Sequence, residues 1–218
     1  MRHTVVYDAA PVPNRINEDA YVVYEDDDFI LMLVADGATP RLRLSAVEPV
    51  YRTYGDGING ASYASRLLRE IALERRFDSP KDILLHANAR LRQSLESVYG
   101  ALDLDSLLRQ EPQLPTYLRD DPRLIRLALP VAVATVARVD LKSARLEFAH
   151  AGDCALFLID AGDAITCLTH DQMQKHDARA LRSALELQSQ HGLAHVSDAI
   201  SVEQVIQANR LNGLNHNY

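Results

Sequence analysis

From Phe29 to Ala35 the chain runs Phe-Ile-Leu-Met-Leu-Val-Ala without a polar interruption. An apolar run of that length, with no alternation, predicts a strand buried on both faces. Asp36-Gly37 ends it. Before it, residues 20–25 form a second β-rich run, and Asp26-Asp27-Asp28 between the two reads as a turn. A short strand is also expected over residues 3–7. Residues 38–59 carry Pro40, Pro49, Gly55 and Gly57 and read as a loop with a short helix.

The period then changes. Tyr63, Leu67 and Ile71 recur at helical spacing over residues 60–76. Ser79-Pro80-Lys81-Asp82 offers an N-cap, a proline at the first helical position and an acid in the first turn. Ile83, Leu84, Ala87, Leu91, Leu95 and Val98 follow as one buried stripe, and Gly100 closes the helix. Residues 101–128 hold Pro112, Pro115 and Pro122 and read as a short helix followed by an irregular excursion. Strands are expected over 130–139, 145–151, 154–160 and 164–168, then helices over 171–188 and 201–211. Strands, then helices, then strands again predict an α+β fold in one domain, residues 1–218.

Composition narrows the function classes. Of 218 residues, 47% are hydrophobic and 24% charged, as in an ordinary globular protein. The net charge is −7, which argues against a nucleic-acid or anionic-membrane footprint. No run approaches the length of a membrane span and no secretory leader is visible, so a cytoplasmic location is expected. Cys154 and Cys167 lie in apolar stretches and form no CxxC pair; they read as reduced core thiols.

The candidate chemistry is acidic. Glu18-Asp19 opens one predicted strand and Asp36 closes the next. If those strands pair antiparallel, Glu18, Asp19 and Asp36 converge at one sheet edge. Gly37 after Asp36 leaves a backbone carbonyl accessible. Carboxylates and a carbonyl oxygen are hard ligands suited to Mg²⁺ or Mn²⁺. The same features also serve as ordinary turn chemistry. Asp153 sits between two strands in Ala-His-Ala-Gly-Asp-Cys-Ala. No P-loop, GxGxxG or Ser/His/Asp arrangement is present.

Five short motifs follow one another in order: Asn17-Glu18-Asp19-Ala20-Tyr21, Val34-Ala35-Asp36-Gly37, Ala134-Thr135-Val136, Ala149-His150-Ala151-Gly152-Asp153 and Leu168-Thr169-His170-Asp171. This series, over residues 3–172, resembles the metal-dependent protein phosphatases of the PPM, or type 2C, family. The resemblance implies a four-layer αββα sandwich, two antiparallel sheets flanked by helix pairs, with two Mg²⁺ or Mn²⁺ ions between the sheets. It implies that Asp36 bridges the ions, that the Gly37 carbonyl binds one, and that Glu18 and Asp19 add oxygens. Asp153 matches the position of a third, looser ion, and Asp171 the acid that caps the next helix. A water activated by two ions would attack phosphoserine or phosphothreonine in line, without a phosphoenzyme. Arg15 matches the phosphate-binding guanidinium. The implied partner is a phosphoprotein, the substrate of a serine/threonine kinase.

The chain departs from the family pattern in three places. Arg15 lies three residues before Glu18, where the family's arginine usually lies four before. Asp36-Gly37 is followed by Ala38-Thr39-Pro40, not by further glycines. Two later metal-binding aspartates are expected, yet beyond Asp171 only Asp177 and Asp198 occur, and Ser197-Asp198-Ala199 matches poorly. The sequence therefore reads as a domain with its C-terminal portion incomplete. The alternative is a catalytically inactive, phosphatase-like binding module.

Overall fold

A computed structural model of the protein describes residues 16–38, 42–114 and 128–192. The expected strand at 3–7, Arg15, the helix at 201–211 and Asp198 lie outside the described residues.

Strands β1 (Asp19–Glu25) and β2 (Phe29–Ala38) form an antiparallel hairpin. Asp26 builds the turn: its Oδ1 accepts the N–H groups of Asp28 and Phe29, both at 2.9 Å. Those bonds, the Phe29 one foremost, hold the Asp26 carboxyl below its ordinary value. Strands β3 (Val131–Asp140) and β4 (Arg145–Ala151) complete a four-stranded antiparallel sheet in the order β1-β2-β3-β4.

After β2 come a one-turn helix α1 (Glu48–Tyr51), a 3₁₀ turn (Arg52–Tyr54), then α2 (Gly60–Glu74), α3 (Pro80–Tyr99) and α4 (Leu104–Gln110). The Ser79 hydroxyl accepts the Asp82 N–H at 3.2 Å, and Gly100, at φ 76°, ends α3. The periodicity thus marks α3 to within a residue. In the stretch 101–128, Asp103 caps α4, and residues 115–127 lie outside the described part.

Helices α2 and α3 cover one face of the sheet. Val22, Phe29, Leu31, Leu33, Ala134 and Val136 point into that layer and are buried with Leu67, Ile71, Ile83 and Leu95. At the far end Arg138 lies 4.2 Å over the Phe29 ring and donates to the Phe77 carbonyl at 2.8 Å, tying the sheet to the turn after α2.

The opposite face carries Asp19 and Tyr21 on β1, Asp36, Val34 and Met32 on β2, Thr135 on β3, and His150 and Phe148 on β4, as the register requires. Tyr21 is 40% exposed, Val34 47% and Phe148 39%. The expectation of a β2 buried on both faces therefore fails at Val34, because the helices cover only one side. The apolar run reported a buried strand but not how many faces have a partner.

The last two strands do not extend this sheet. β5 (Phe157–Ile159) and β6 (Ile165–Cys167) pair only with each other and form a second, two-stranded antiparallel sheet. β5 starts three residues later than expected because Cys154–Leu156 serve as a latch. The Cys154 carbonyl accepts from Thr135 Oγ1 at 2.8 Å, and the Leu156 N–H donates to Thr169 Oγ1 at 3.0 Å. Helix α5 (Gln174–His191) follows. Among the described residues, two antiparallel sheets and five helices make an α+β fold, as expected. Both cysteines are free, but Cys167 is exposed on β6 and is not a core thiol. No described helix is long and apolar enough to cross a membrane.

Candidate metal centre

The β1–β2 register sets Asp19 directly opposite Asp36 at the end of the sheet. Both lie on the face that the helices leave open. Antiparallel pairing through the Asp26 turn makes this unavoidable, since residues 19 and 36 are equidistant from it. Asp19 is fixed from the chain side as well: its N–H donates to Asn17 Oδ1 at 2.8 Å.

Asp153 reaches the same place from another element. It sits in the turn after β4, where Gly152 adopts φ 88°. That positive φ favours glycine and re-aims the chain toward the site. Two bonds latch this turn to the segment before α5: Gly152 N–H to Gln172 Oε1 at 3.0 Å, and Gln172 N–H to the Gly152 carbonyl at 3.1 Å. The Asp171 carboxylate accepts the Met173 and Gln174 N–H groups at 2.7 and 3.1 Å, so it caps α5.

These carboxylates feel one another. The Asp36 carboxyl is raised to about 6. Partial desolvation comes first, although the residue as a whole is exposed; the charge of Asp19 and a hydrogen bond shared with it come next, then Asp153 and Glu18. All these influences push the same way. Like charges gathered in this way favour either a shared proton or a bound cation. The neighbouring Cys154 thiol is pushed up to about 12 by burial, then by Asp153 and Asp36, which leaves it protonated and a poor nucleophile.

Glu18 is oriented by a residue that the sequence pattern did not single out. Asn59 Nδ2 donates to Glu18 Oε1 at 2.6 Å. The other end of the same amide caps α2: Asn59 Oδ1 accepts the Ser62 N–H at 2.9 Å and the Ser62 hydroxyl at 2.8 Å. An asparagine just before a helical period is a capping signal that could have been read. Its second role depends on a partner 41 positions away and could not.

Gly37 joins the two layers. Its N–H donates to the Glu18 carbonyl at 3.0 Å. In an extended strand the carbonyl of a residue points to the same side as its N–H, so the Gly37 carbonyl projects toward the Glu18 side. A Cβ at this position would meet the Ala61 carbonyl oxygen far inside contact distance and the Glu18 carbonyl oxygen at 2.9 Å. Only glycine lets the end of β2 lie this close to the first turn of α2.

The loop from β2 to α1 is fastened by a second unforeseen residue. Glu111 is fully buried, and its carboxylate accepts the Ser45 N–H at 2.9 Å, the Ala46 N–H at 2.7 Å, the Tyr99 hydroxyl at 2.6 Å and the Gln113 amide at 2.5 Å. Burial pushes its pKa up, but these four donors together hold it below its ordinary value.

Glu18, Asp19, Asp36, Asp153 and the Gly37 backbone thus belong to one neighbourhood. Their donors are all hard oxygens, which fits Mg²⁺ or Mn²⁺ in kind. Among the described residues, no three His, Cys, Asp or Glu side chains form a ready-made metal cage. A site with few protein carboxylates remains suited to Mg²⁺, which usually keeps several of its waters.

No family model and no curated protein matches the chain. Among solved structures it is similar to a Stage II Sporulation E family protein from Thermanaerovibrio acidaminovorans, at 19% identity and TM-score 0.42, over 70% of this chain and 53% of that one. It is similar to RsbX, solved in complex with magnesium, at 10% identity and TM-score 0.40, over 73% and 54%. It is also similar to the Mycobacterium tuberculosis serine/threonine phosphatase PstP, at 18% identity and TM-score 0.35, over 75% and 52%. All three are PPM-type phosphatases. The chain spans about half the length of each.

Proposed function

We propose that this chain carries metal-binding carboxylates of a metal-dependent protein phosphatase that hydrolyses phosphoserine and phosphothreonine. The observation that carries the proposal is the pairing of Asp19 with Asp36 across β1 and β2, with Asp153 and Glu18 close enough to raise the Asp36 carboxyl. The carboxylates of Asp19, Asp153 and Glu18 are among the influences that raise Asp36, and a divalent ion bound there would relieve that crowding.

In this reading Asp36 and Asp19 would hold the ions, and the Gly37 carbonyl, directed towards Glu18, would add an oxygen. Glu18 is held in orientation by Asn59, and Asp153 contributes from the Gly152 turn. When bound, a pair of Mg²⁺ or Mn²⁺ ions would supply an activated water and neutralise charge on the phosphoryl group. The protein's own part is to gather the oxygens from three elements and keep them there. Arg15, close in sequence to Glu18, is the guanidinium proposed to bind the phosphate.

The test is phosphate release from phosphoserine and phosphothreonine peptides in Mn²⁺, with wild type and Asp36→Asn. Turnover that the substitution abolishes supports the proposal. Turnover that survives it removes Asp36 from the centre. Mn²⁺ binding without turnover leaves a phosphatase-like binding module as the function.

A further inference from the structure

We propose that the cavity behind the first turn of α2 is a recognition subsite for an acidic side chain of the substrate, read by Arg43 and Arg52. Its link to a phosphoprotein rests on the phosphatase reading; the binding of an acidic peptide does not.

The cavity measures about 300 Å³ and is lined in part by Arg43, Glu48, Tyr51, Arg52, Asn59 and Gly60. That size suits one or two side chains and is at the lower limit for a small-molecule pocket. It adjoins the carboxylate centre, because Asn59 forms part of its wall and donates from the same side chain to Glu18.

The charge at its mouth is opposite to that of the chain as a whole. Arg43 Nε and Nη2 both reach Glu48 Oε1, and Arg52 Nη2 lies 3.8 Å from Glu48 Oε2. Two guanidiniums around one carboxylate leave a surplus of one positive charge, in a protein of net charge −7. The Arg43 and Arg52 side chains are 79% and 62% exposed, whereas that of Glu48 is 24% exposed. Each guanidinium has five N–H donors, and the contacts with Glu48 use only some of them. Planar donors around a cavity match an incoming carboxylate better than a neutral or basic side chain. Glu48 holds the two arginines in place and also competes with the ligand for them.

The experiment uses fluorescein-labelled peptides and the 218-residue chain without metal. One peptide carries three consecutive glutamates and the other three alanines, and neither is phosphorylated. The glutamate peptide is expected to bind about tenfold more tightly or better at low salt. That preference should vanish in the Arg43→Ala/Arg52→Ala double variant, widen in Glu48→Gln and fall with added salt. Equal binding of the two peptides, or a glutamate preference that survives the double variant, overturns the proposal. A parallel arm with phosphoserine versions of both peptides in Mn²⁺ separates the two readings. Glutamate-selective binding without hydrolysis of either peptide sinks the phosphatase reading and leaves the subsite standing. Hydrolysis of both at equal kcat/KM, with no glutamate preference, sinks the subsite alone.

Discussion

Asn59 offers the sharpest single perturbation, because one amide both caps α2 and orients Glu18. Asn59→Ala removes both functions. Loss of an N-cap costs about 1 kcal/mol, in a range of roughly 0.5–2. A hydrogen bond to a charged group adds about 1.5 kcal/mol at the low end, appropriate for a half-buried pair. The expected total is about 2–3 kcal/mol, which for a chain of this size lowers Tm by roughly 4–12 °C. Asn59→Asp separates the two functions. Aspartate caps as well as asparagine, but it sets a carboxylate against Glu18 where an amide donor stood. Urea denaturation followed by circular dichroism should show Asn59→Asp destabilised less than Asn59→Ala. Adding Glu18→Gln should recover most of the loss in Asn59→Asp and none of the cap loss in Asn59→Ala. If Glu18→Gln has the same effect in both backgrounds, the Asn59–Glu18 contact does not contribute, and Asn59 is only a cap.

Three other outcomes follow from the same geometry. Gly37→Ala should destabilise by about 2–4 kcal/mol by urea denaturation, because backbone atoms of Ala61 and Glu18 occupy the space of the new Cβ and cannot rotate away. Glu111→Ala should cost about 3–5 kcal/mol and loosen the loop at Ser45 and Ala46, visible as faster amide exchange there, since it strands the buried Tyr99 hydroxyl and two half-buried backbone N–H groups at once. Glu111→Gln should be milder and should change the pH profile. The folded-state Glu111 pKa lies below its ordinary 4.5, so its contribution is complete above that value and is lost as pH falls through the lower folded one. The glutamine variant should lack that part of the acid-side loss in a pH series of melting curves.

Much of the site could be read before any coordinates. The Asp26 turn and two β-rich runs were enough to bring Asp19 opposite Asp36, because a hairpin's register is set by its turn. Helix α3 announced both its ends through Ser79-Pro80 and Gly100. What escaped depended on partners far along the chain. Glu111 lies in the stretch read only as a short helix and an irregular excursion, yet it bonds to Ser45, 66 positions earlier. Val34 lies in a continuous apolar run, but only tertiary packing decides that its face stays open while the Leu33 face meets helices. The runs of β5 and β6 predicted strands but not their sheet, and nothing local says that Thr135 and Thr169 divert the intervening chain.

The central claim is that the carboxylates at the end of β1 and β2 form a divalent-ion site. Calorimetric titration of Mn²⁺ into the 218-residue chain tests it most directly, with Asp36→Asn and Asp19→Asn alongside. The account predicts saturable binding that weakens by about tenfold or more in each variant, as loss of a carboxylate ligand for a hard cation requires. No binding by the wild-type chain, or equal affinity in all three proteins, would contradict it.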